Sequence, residues 1–257
     1  MPTPIKSGFN RGNSGQTPRI KFPTLPYHLL TPERCKGKLI IMPGRNISLT
    51  NGEVYHIFNR GSDKRTIYLQ LRDYSRFKHT SHYYQFQGPK PRFSNLSKFN
   101  LDSFKPKSKS KLVEIFCYCF MPNHFHFLVR QLKENGISVF MSQLSNSYTK
   151  YFNTKYKRVG PLLQGVFKAV RVETDEQFIH LSRYIHLNPV VSLLAKRIDK
   201  YPWSSYPEYV QGINGFCSTS EILSFFASKE QYNQFLEDQI DYGKSLELIK
   251  HQLIDSI

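Results

Sequence analysis

The sequence predicts an α+β domain in which helices pack on a mostly antiparallel sheet. Two apolar segments, 112–120 and 124–130, flank the tripeptide Met121-Pro122-Asn123, which is typical of a tight turn between antiparallel strands. Segments with a helical spacing of apolar residues alternate with this hairpin and with other strand candidates. Strands that interleave with helices, and that are joined in part by a hairpin, indicate this fold class.

The elements around the hairpin follow in chain order. Residues 53–58 are a strand candidate, and residues 63–86 carry apolar side chains near helical spacing. After the hairpin, residues 137–152 place their apolar side chains on one helical face. Residues 166–172 form another short strand candidate.

The next helix has a recognisable start and end. Thr174, with Gln177 three residues later, has the form of a capping box. The two acidic residues between them suit the positive end of the helix dipole. We expect the helix to end at Pro189, because the residue before a proline avoids the helical region.

Composition limits the classes of partner. The 257 residues contain 36 Lys and Arg against 19 Asp and Glu, which gives a formal net charge of +17, and aromatic residues make up 14% of the chain. The apolar and aromatic content is sufficient for a packed core, which excludes a wholly disordered protein. The positive charge favours nucleic acid or another polyanion as the partner.

The sequence also indicates a compartment. It contains no run of about 18 apolar residues, so no membrane span is expected. The first residues lack an apolar signal core, which argues against secretion. The four cysteines form no CxxC pair and suit neither a zinc knuckle nor a disulfide framework. We therefore expect a cytoplasmic protein, associated with the nucleoid if the host is bacterial.

Charge is distributed unevenly along the chain. Residues 1–50 contain eight basic residues and seven prolines against one acid, which predicts a basic arm that is partly flexible. Residues 87–111 predict a long basic insertion. Residues 211–257 contain seven acidic and three basic residues and predict a small, mildly acidic helical extension. The main folded domain is expected to be residues 51–210.

Two histidines of the predicted hairpin share one face of their strand. Side chains alternate between the faces of a strand, so His124 and His126 point the same way while Phe125 and Phe127 point into the core. Two imidazoles at this spacing can hold a divalent metal together with one further ligand. Taken alone, the pair is more often simply two surface histidines.

A tyrosine and an asparagine share one face of the helix that follows Thr174. Tyr184 and Asn188 are four residues apart, which places them one turn from each other. The amide oxygen of Asn188 is a hard ligand suited to Mg²⁺ or Mn²⁺. A phenol near a bound metal can attack phosphorus as a covalent nucleophile. Taken alone, the pair is better explained by a half-buried tyrosine and a capping asparagine.

The combination of these motifs in one basic chain resembles the HUH nuclease superfamily. Within it, the motifs are most similar to the single-tyrosine transposases of the REP-associated type. The resemblance covers about residues 50–210. Its two main segments are 121–128 (MPNHFHFL) and 184–190 (YIHLNPV), with support from 55–61, 165–169 and 203–206.

This resemblance implies a ferredoxin-like, or RRM-like, fold around a central antiparallel sheet. It implies one divalent metal ion, Mg²⁺ or Mn²⁺, held by His124, His126 and Asn188, with Tyr184 as the nucleophile. The implied activity is cleavage and rejoining of single-stranded DNA, flanked by a hairpin, through a 5′-phosphotyrosine. Relatives of the mobile type act as dimers, whereas the repeat-associated type can look monomeric, so a homodimer is one of two open alternatives.

Basic and aromatic residues interleave after the second predicted helix. Cationic side chains beside flat rings suit single strands, because the charges follow the phosphates and the rings stack on the bases. The predicted DNA contacts are Arg60, Lys150, Lys155, Lys157, Arg158, Lys168 and Arg171.

Alternatives remain open for the function and for the nucleophile. A relative that no longer cleaves would be a non-catalytic binder of hairpin or single-stranded nucleic acid, and an RRM-type RNA-binding protein would need exposed aromatic residues where the histidines stand. Tyr148 or Tyr151 would be the nucleophile if Tyr184 were not. His186 is turned away from Tyr184 along the helix, which predicts a supporting or DNA-contact role. Phe167 stands where some relatives have tyrosine and is interpreted as a core residue.

Overall fold

A four-stranded antiparallel sheet organises the part of the chain that the structure describes. This computed structural model describes residues 48–88, 93, 110–241 and 243. The strands are β1 (Val54–Arg60), β2 (Val113–Met121), β3 (His124–Gln131) and β4 (Lys168–Arg171). Their order in the sheet is β2-β3-β1-β4, and every neighbouring pair is antiparallel. With one helix between β1 and β2 and another between β3 and β4, this is the ferredoxin-like arrangement, so the predicted fold class is confirmed.

Helices cover both faces of the sheet. Those between the strands are α1 (Leu71–Tyr84) and α2 (Gly136–Lys155), and α3 (Asp175–Val191) follows β4. Three shorter helices come after it: α4 (Tyr206–Val210), α5 (Ser220–Leu223) and α6 (Lys229–Glu237). Within the described ranges, no helix has the length and apolar character that crossing a membrane would require.

Alternation along β3 gives the sheet two different faces. Phe125 lies 5.0 Å from Phe77 of α1, and Phe127 lies 5.8 Å from Phe140 of α2, measured between ring centroids. All four rings are fully buried, so this face and the helices α1 and α2 enclose the main apolar core. The opposite face carries the histidines of β3, and α3 packs on that side.

Two predicted helix boundaries are wrong. The helix predicted from residue 63 begins at Leu71, because Asp63 and Lys64 both have a φ of 56° and the chain cannot be a right-handed helix there. The helix predicted to end at Pro189 continues to Val191. The proline removes one backbone hydrogen bond in the last turn, but the buried side chains of Val190 and Val191 keep that turn packed.

The predicted terminal segments are described only in part. Of the basic arm, residues 1–47 lie outside the described residues, and so do residues 89–92 and 94–109 of the basic insertion. The C-terminal extension is described up to residue 241, and at residue 243, and it contains α5 and α6. The division of the chain into these segments and a catalytic domain stays a prediction.

A buried carboxylate joins α1 to α2. Asp73 is fully buried, and its carboxylate accepts hydrogen bonds from Lys155 Nζ at 2.6 Å and from the hydroxyls of Tyr151 and Tyr156 at 2.9 and 2.7 Å. Burial raises the pKa of Asp73, but hydrogen bonds from Lys155 and the two tyrosines more than offset this effect. The pKa of Asp73 is therefore below its ordinary value of 3.8, and the ionised form is stabilised.

A second buried network holds α3 in place. His186 of α3 is fully buried; its Nδ1 lies 2.8 Å from the hydroxyl of Tyr232 in α6, and its Nε2 lies 2.8 Å from the hydroxyl of Ser205. Ser205 Oγ also accepts a hydrogen bond of 2.9 Å from the backbone N–H of Tyr118 in β2. These bonds connect α3 to the edge of the sheet and to the C-terminal extension.

We expect Asp73→Asn to lower the free energy of unfolding by about 2–3 kcal/mol, because hydrogen bonds to a charged group are lost in a buried site. The depressed pKa gives this loss a pH dependence: the stabilisation is fully present well above pH 3.8 and is lost as the pH falls through the folded-state pKa. Urea unfolding of both proteins at pH 7 and below pH 4 measures the loss in the free energy of unfolding. Asp63→Asn is the control, because the Asp63 side chain is 87% exposed. Equal effects of the two substitutions at pH 7 would contradict the network's role.

We expect Ser205→Ala to lower the free energy of unfolding by about 1–3 kcal/mol, because it leaves the buried Nε2 of His186 and the N–H of Tyr118 unpaired. Urea unfolding of the metal-free protein is the measurement. Ser142→Ala, at an exposed position of α2, should change stability by less than about 0.5 kcal/mol. A Ser205→Ala protein as stable as the Ser142→Ala protein would show that the network does not stabilise α3.

Candidate active site

The histidines of β3 and the helix α3 meet on one face of the sheet. The ring of Tyr184 packs edge-on against His126, with 5.5 Å between centroids, and lies 6.0 Å from His56. The side chain of Asn188, one turn further along α3, is close enough to His124 to raise the pKa of that histidine. The structure thus brings together the two histidines, the tyrosine and the asparagine that the sequence singled out.

The turn before β3 fixes the proton of His124. Asn123 Oδ1 lies 2.6 Å from His124 Nδ1, while the amide nitrogen of Asn123 donates to the carbonyl of Lys64 at 3.3 Å. Because an amide oxygen only accepts hydrogen bonds, His124 Nδ1 carries the proton and its Nε2 keeps a lone pair. Burial, and then the charge of Arg60, lower the pKa of His124 to about 4, against a smaller opposing effect of the Asn188 side chain. At neutral pH the ring is therefore uncharged.

His126 contains a buried nitrogen that lacks a partner. The residue is 5% exposed, and its Nε2 forms no hydrogen bond within the part of the chain that is described. Its other nitrogen, Nδ1, lies 2.9 Å from Nε2 of His56. Burial, followed by the neighbouring His56 and His124, holds the pKa of His126 well below its ordinary value, and burial lowers that of His56 to about 4. An unpaired buried nitrogen is costly unless a ligand compensates it.

These residues fit a divalent cation. Cations bind uncharged imidazole, and both histidines are uncharged at neutral pH. Two imidazole nitrogens and the amide oxygen of Asn188 make a mixed nitrogen and oxygen set. Among the described residues, no three His, Cys, Asp or Glu side chains form a group that could hold a metal ion. A cation at this site would thus need Asn188, or an atom of the substrate, in addition to His124 and His126.

The alternative nucleophiles lie on the other side of the sheet. Tyr148 is fully buried under α1, and its hydroxyl donates to the carbonyl of Ile67. The hydroxyl of Tyr151 donates to the carboxylate of Asp73. Neither side chain is on the histidine face. Phe167 is buried in the core, as predicted.

Arg60 and Lys168 lie on the histidine face. Directly opposite residues of neighbouring strands project to the same side of a sheet. Arg60 is opposite His124, and Lys168 is opposite Phe58, which is itself opposite His126. Both basic side chains are exposed, so they extend the site towards solvent with positive charge.

The other predicted DNA contacts have different surroundings. Arg171 projects to the opposite face of the edge strand β4, and its guanidinium lies 2.9 Å from the carboxylate of Glu53. Lys155 belongs to the buried network around Asp73. The predicted contacts on α2 or just after its end are Lys150, Lys157 and Arg158.

Sequence reasoning missed three residues around the site. His56 contacts His126 from a distance of 70 positions in the chain, because β1 and β3 are neighbours in the sheet. Gln164 accepts a hydrogen bond of 2.7 Å from Nε of Arg60 and so orients its guanidinium. Asn123 was recognised only as a turn residue. Alternation along β1 would have placed His56 on the histidine face only if the pairing of β1 with β3 had been known. His186 points away from the site into the network with Ser205.

Comparison with known proteins finds similarity to a family model and to a solved structure. Residues 92–188 match the model of a family described as "Transposase IS200 like", and the matched span contains His124, His126, Tyr184 and Asn188. No curated protein matches the sequence. A solved structure of a REP-associated tyrosine transposase bound to a REP hairpin aligns with a TM-score of 0.48 at 16% identity, over 68% of this chain and 90% of that chain. The similarity to this family model covers 97 of the 257 residues, which is less than half of the chain.

Proposed function

We propose that this protein cleaves and rejoins single-stranded DNA by forming a 5′-phosphotyrosine on Tyr184. A divalent cation, Mg²⁺ or Mn²⁺, would be held by His124, His126 and Asn188. The observation that carries the proposal is the contact of the Tyr184 ring with His126, whose Nε2 is buried and without a partner among the described residues. A nucleic-acid binder without catalysis would have no use for that arrangement.

The proposed reaction needs no external source of energy. The phenolic oxygen of Tyr184 forms a bond to phosphorus while the bond from phosphorus to the 3′ oxygen breaks. The phenol releases one proton, and the departing 3′ oxygen takes one up. The free energy of the phosphodiester is retained in the protein–DNA bond, so the reverse attack by a 3′-hydroxyl can rejoin a strand without a nucleotide cofactor.

The residues of the site have separate roles in this step. His124, His126 and Asn188 would hold the divalent cation, which when bound would supply Lewis acidity to offset charge that develops on the scissile phosphate. His124 and His126 present uncharged nitrogens from a rigid strand. Tyr184 and Asn188 stand one turn apart on α3, so the helix fixes the nucleophile relative to the ligand set.

The positive charge on the histidine face supports the proposal that a strand of DNA binds there. Arg60 and Lys168 are exposed on this face, and Gln164 orients the guanidinium of Arg60. A guanidinium held in this way suits bidentate contacts to phosphate. A hairpin beside the cleaved strand follows from the family resemblance and stays a prediction, while monomer and homodimer stay alternatives for the active form.

We expect Tyr184→Phe to abolish covalent capture of DNA, because it removes the attacking oxygen and keeps the ring. Labelled single-stranded oligonucleotides with the hairpins that flank the gene are mixed with protein and Mn²⁺ or EDTA, and a denaturing gel detects the adduct. Wild type should form an adduct with Mn²⁺ and none with EDTA. Tyr151→Phe is the control and should retain it.

An adduct that persists in the Tyr184→Phe protein would place the nucleophile elsewhere. Tight binding of the hairpin by wild type, with no adduct from any flanking sequence, would favour a non-catalytic binder of hairpin or single-stranded nucleic acid.

We expect Arg60→Gln to weaken binding of single-stranded DNA more than Arg171→Gln does. Both substitutions remove one positive charge, but only Arg60 is on the histidine face, whereas Arg171 contacts Glu53. Fluorescence anisotropy at several salt concentrations measures the affinity. Loss of one phosphate contact should reduce the slope of log K against log salt by about 0.7 for Arg60→Gln. Equal slopes for the two variants would show that DNA does not follow this face.

A further inference from the structure

His56 and His126 form a buried imidazole pair beside Tyr184. Nε2 of His56 lies 2.9 Å from Nδ1 of His126, and the two ring planes are inclined by only 19° with 5.1 Å between centroids. The two residues are 7% and 5% exposed. Because the contact joins two ring nitrogens, one nitrogen carries the proton and the other accepts it.

Only one of the two proton placements allows His126 to bind a cation. If His56 donates, Nδ1 of His126 accepts, and the uncharged ring must then carry its proton on Nε2. That would place an N–H without an acceptor in a buried position, since Nε2 of His126 has no partner among the described residues. If His126 donates from Nδ1, its Nε2 keeps a lone pair, which a cation can use.

The two histidines that are candidate metal ligands differ in how firmly their tautomers are fixed. His124 faces the oxygen of Asn123, which can only accept, so its tautomer follows from residue type. His126 faces another imidazole, which can donate or accept. The ring of His56 is itself held between neighbours, with Phe58 at 5.0 Å and Tyr184 at 6.0 Å between centroids. The orientation of the pair is therefore constrained by packing.

We propose that His56 accepts the Nδ1 proton of His126 and thereby acts as a positioning residue that keeps Nε2 of His126 available to the cation. This role rests on the proposed metal site. Residues that receive the second N–H of a ligating histidine fix its tautomer and its ring orientation, and their loss typically lowers metal affinity about 10–100-fold.

The first measurement needs no metal. Long-range ¹⁵N–¹H correlation spectra of the histidine rings in the metal-free wild-type protein, assigned with a His126→Gln variant, report which nitrogen of His126 is protonated. We expect the proton on Nδ1 of His126 and the unprotonated nitrogen of His56 to be Nε2. A proton on Nε2 of His126 would overturn the proposal.

The second measurement is affinity for Mn²⁺, with free Mn²⁺ detected by electron paramagnetic resonance. We expect His56→Leu to weaken Mn²⁺ binding about 10–100-fold, and His56→Gln, whose amide oxygen can accept the same proton, to retain most of the affinity. His180→Leu is the matched control: His180 is also buried on α3, but it contacts Arg183 and Phe235 rather than His126. Its affinity for Mn²⁺ should equal that of wild type.

The outcomes separate this role from the proposed function. Unchanged Mn²⁺ affinity in His56→Leu, or an equal loss in His56→Leu and His56→Gln, would overturn the positioning role. Thermal melting of the metal-free variants identifies any loss that comes from unfolding; if His56→Leu does not fold, His56→Gln and the wild-type spectra decide. If wild type binds no Mn²⁺ while Nδ1 of His126 is protonated, the proposed metal site fails and the proton placement stands.

Discussion

The alternation of side chains along β3 is the constraint on which both the core and the site depend. Within four residues, this strand sends Phe125 and Phe127 towards α1 and α2, and His124 and His126 towards α3. A slip of one residue in its pairing would exchange the two sets. It would bury imidazoles in the apolar core and put phenylalanine rings beside Tyr184. The register of β3 that packs the core is therefore the same register that assembles the site.

The helix α3 uses its two sides for different purposes. One side carries Tyr184 and Asn188 onto the histidine face, and the other carries His186 into hydrogen bonds with Ser205 and Tyr232. The last two residues lie beyond the span that matches the transposase family. Tyr232 belongs to the C-terminal extension, so the extension helps to hold the helix that carries Tyr184.

The sequence predicted what depends on neighbours in the chain and missed what depends on pairing across the sheet. His124 and His126 are two residues apart, and Tyr184 and Asn188 are four apart, so strand and helix periodicity were enough to place each pair on one face. The contact of His56 with His126 needs the order of strands, which local patterns do not contain. The continuation of α3 through Pro189 likewise depends on burial of the following valines, a tertiary effect that overrides a local preference.

Net charge and site charge are different quantities in this molecule. The charge of +17 favours a polyanionic partner, but the individual basic side chains have different surroundings in the fold. Lys155 neutralises the buried carboxylate of Asp73, and Arg171 contacts Glu53 on the other face of β4. Arg60 is different, because its partner Gln164 is uncharged and its charge remains uncompensated by that contact. Strand register places this charge opposite His124, whose pKa is lowered first by burial and then by Arg60. The same register therefore sets an exposed cationic group beside an imidazole that is uncharged at neutral pH.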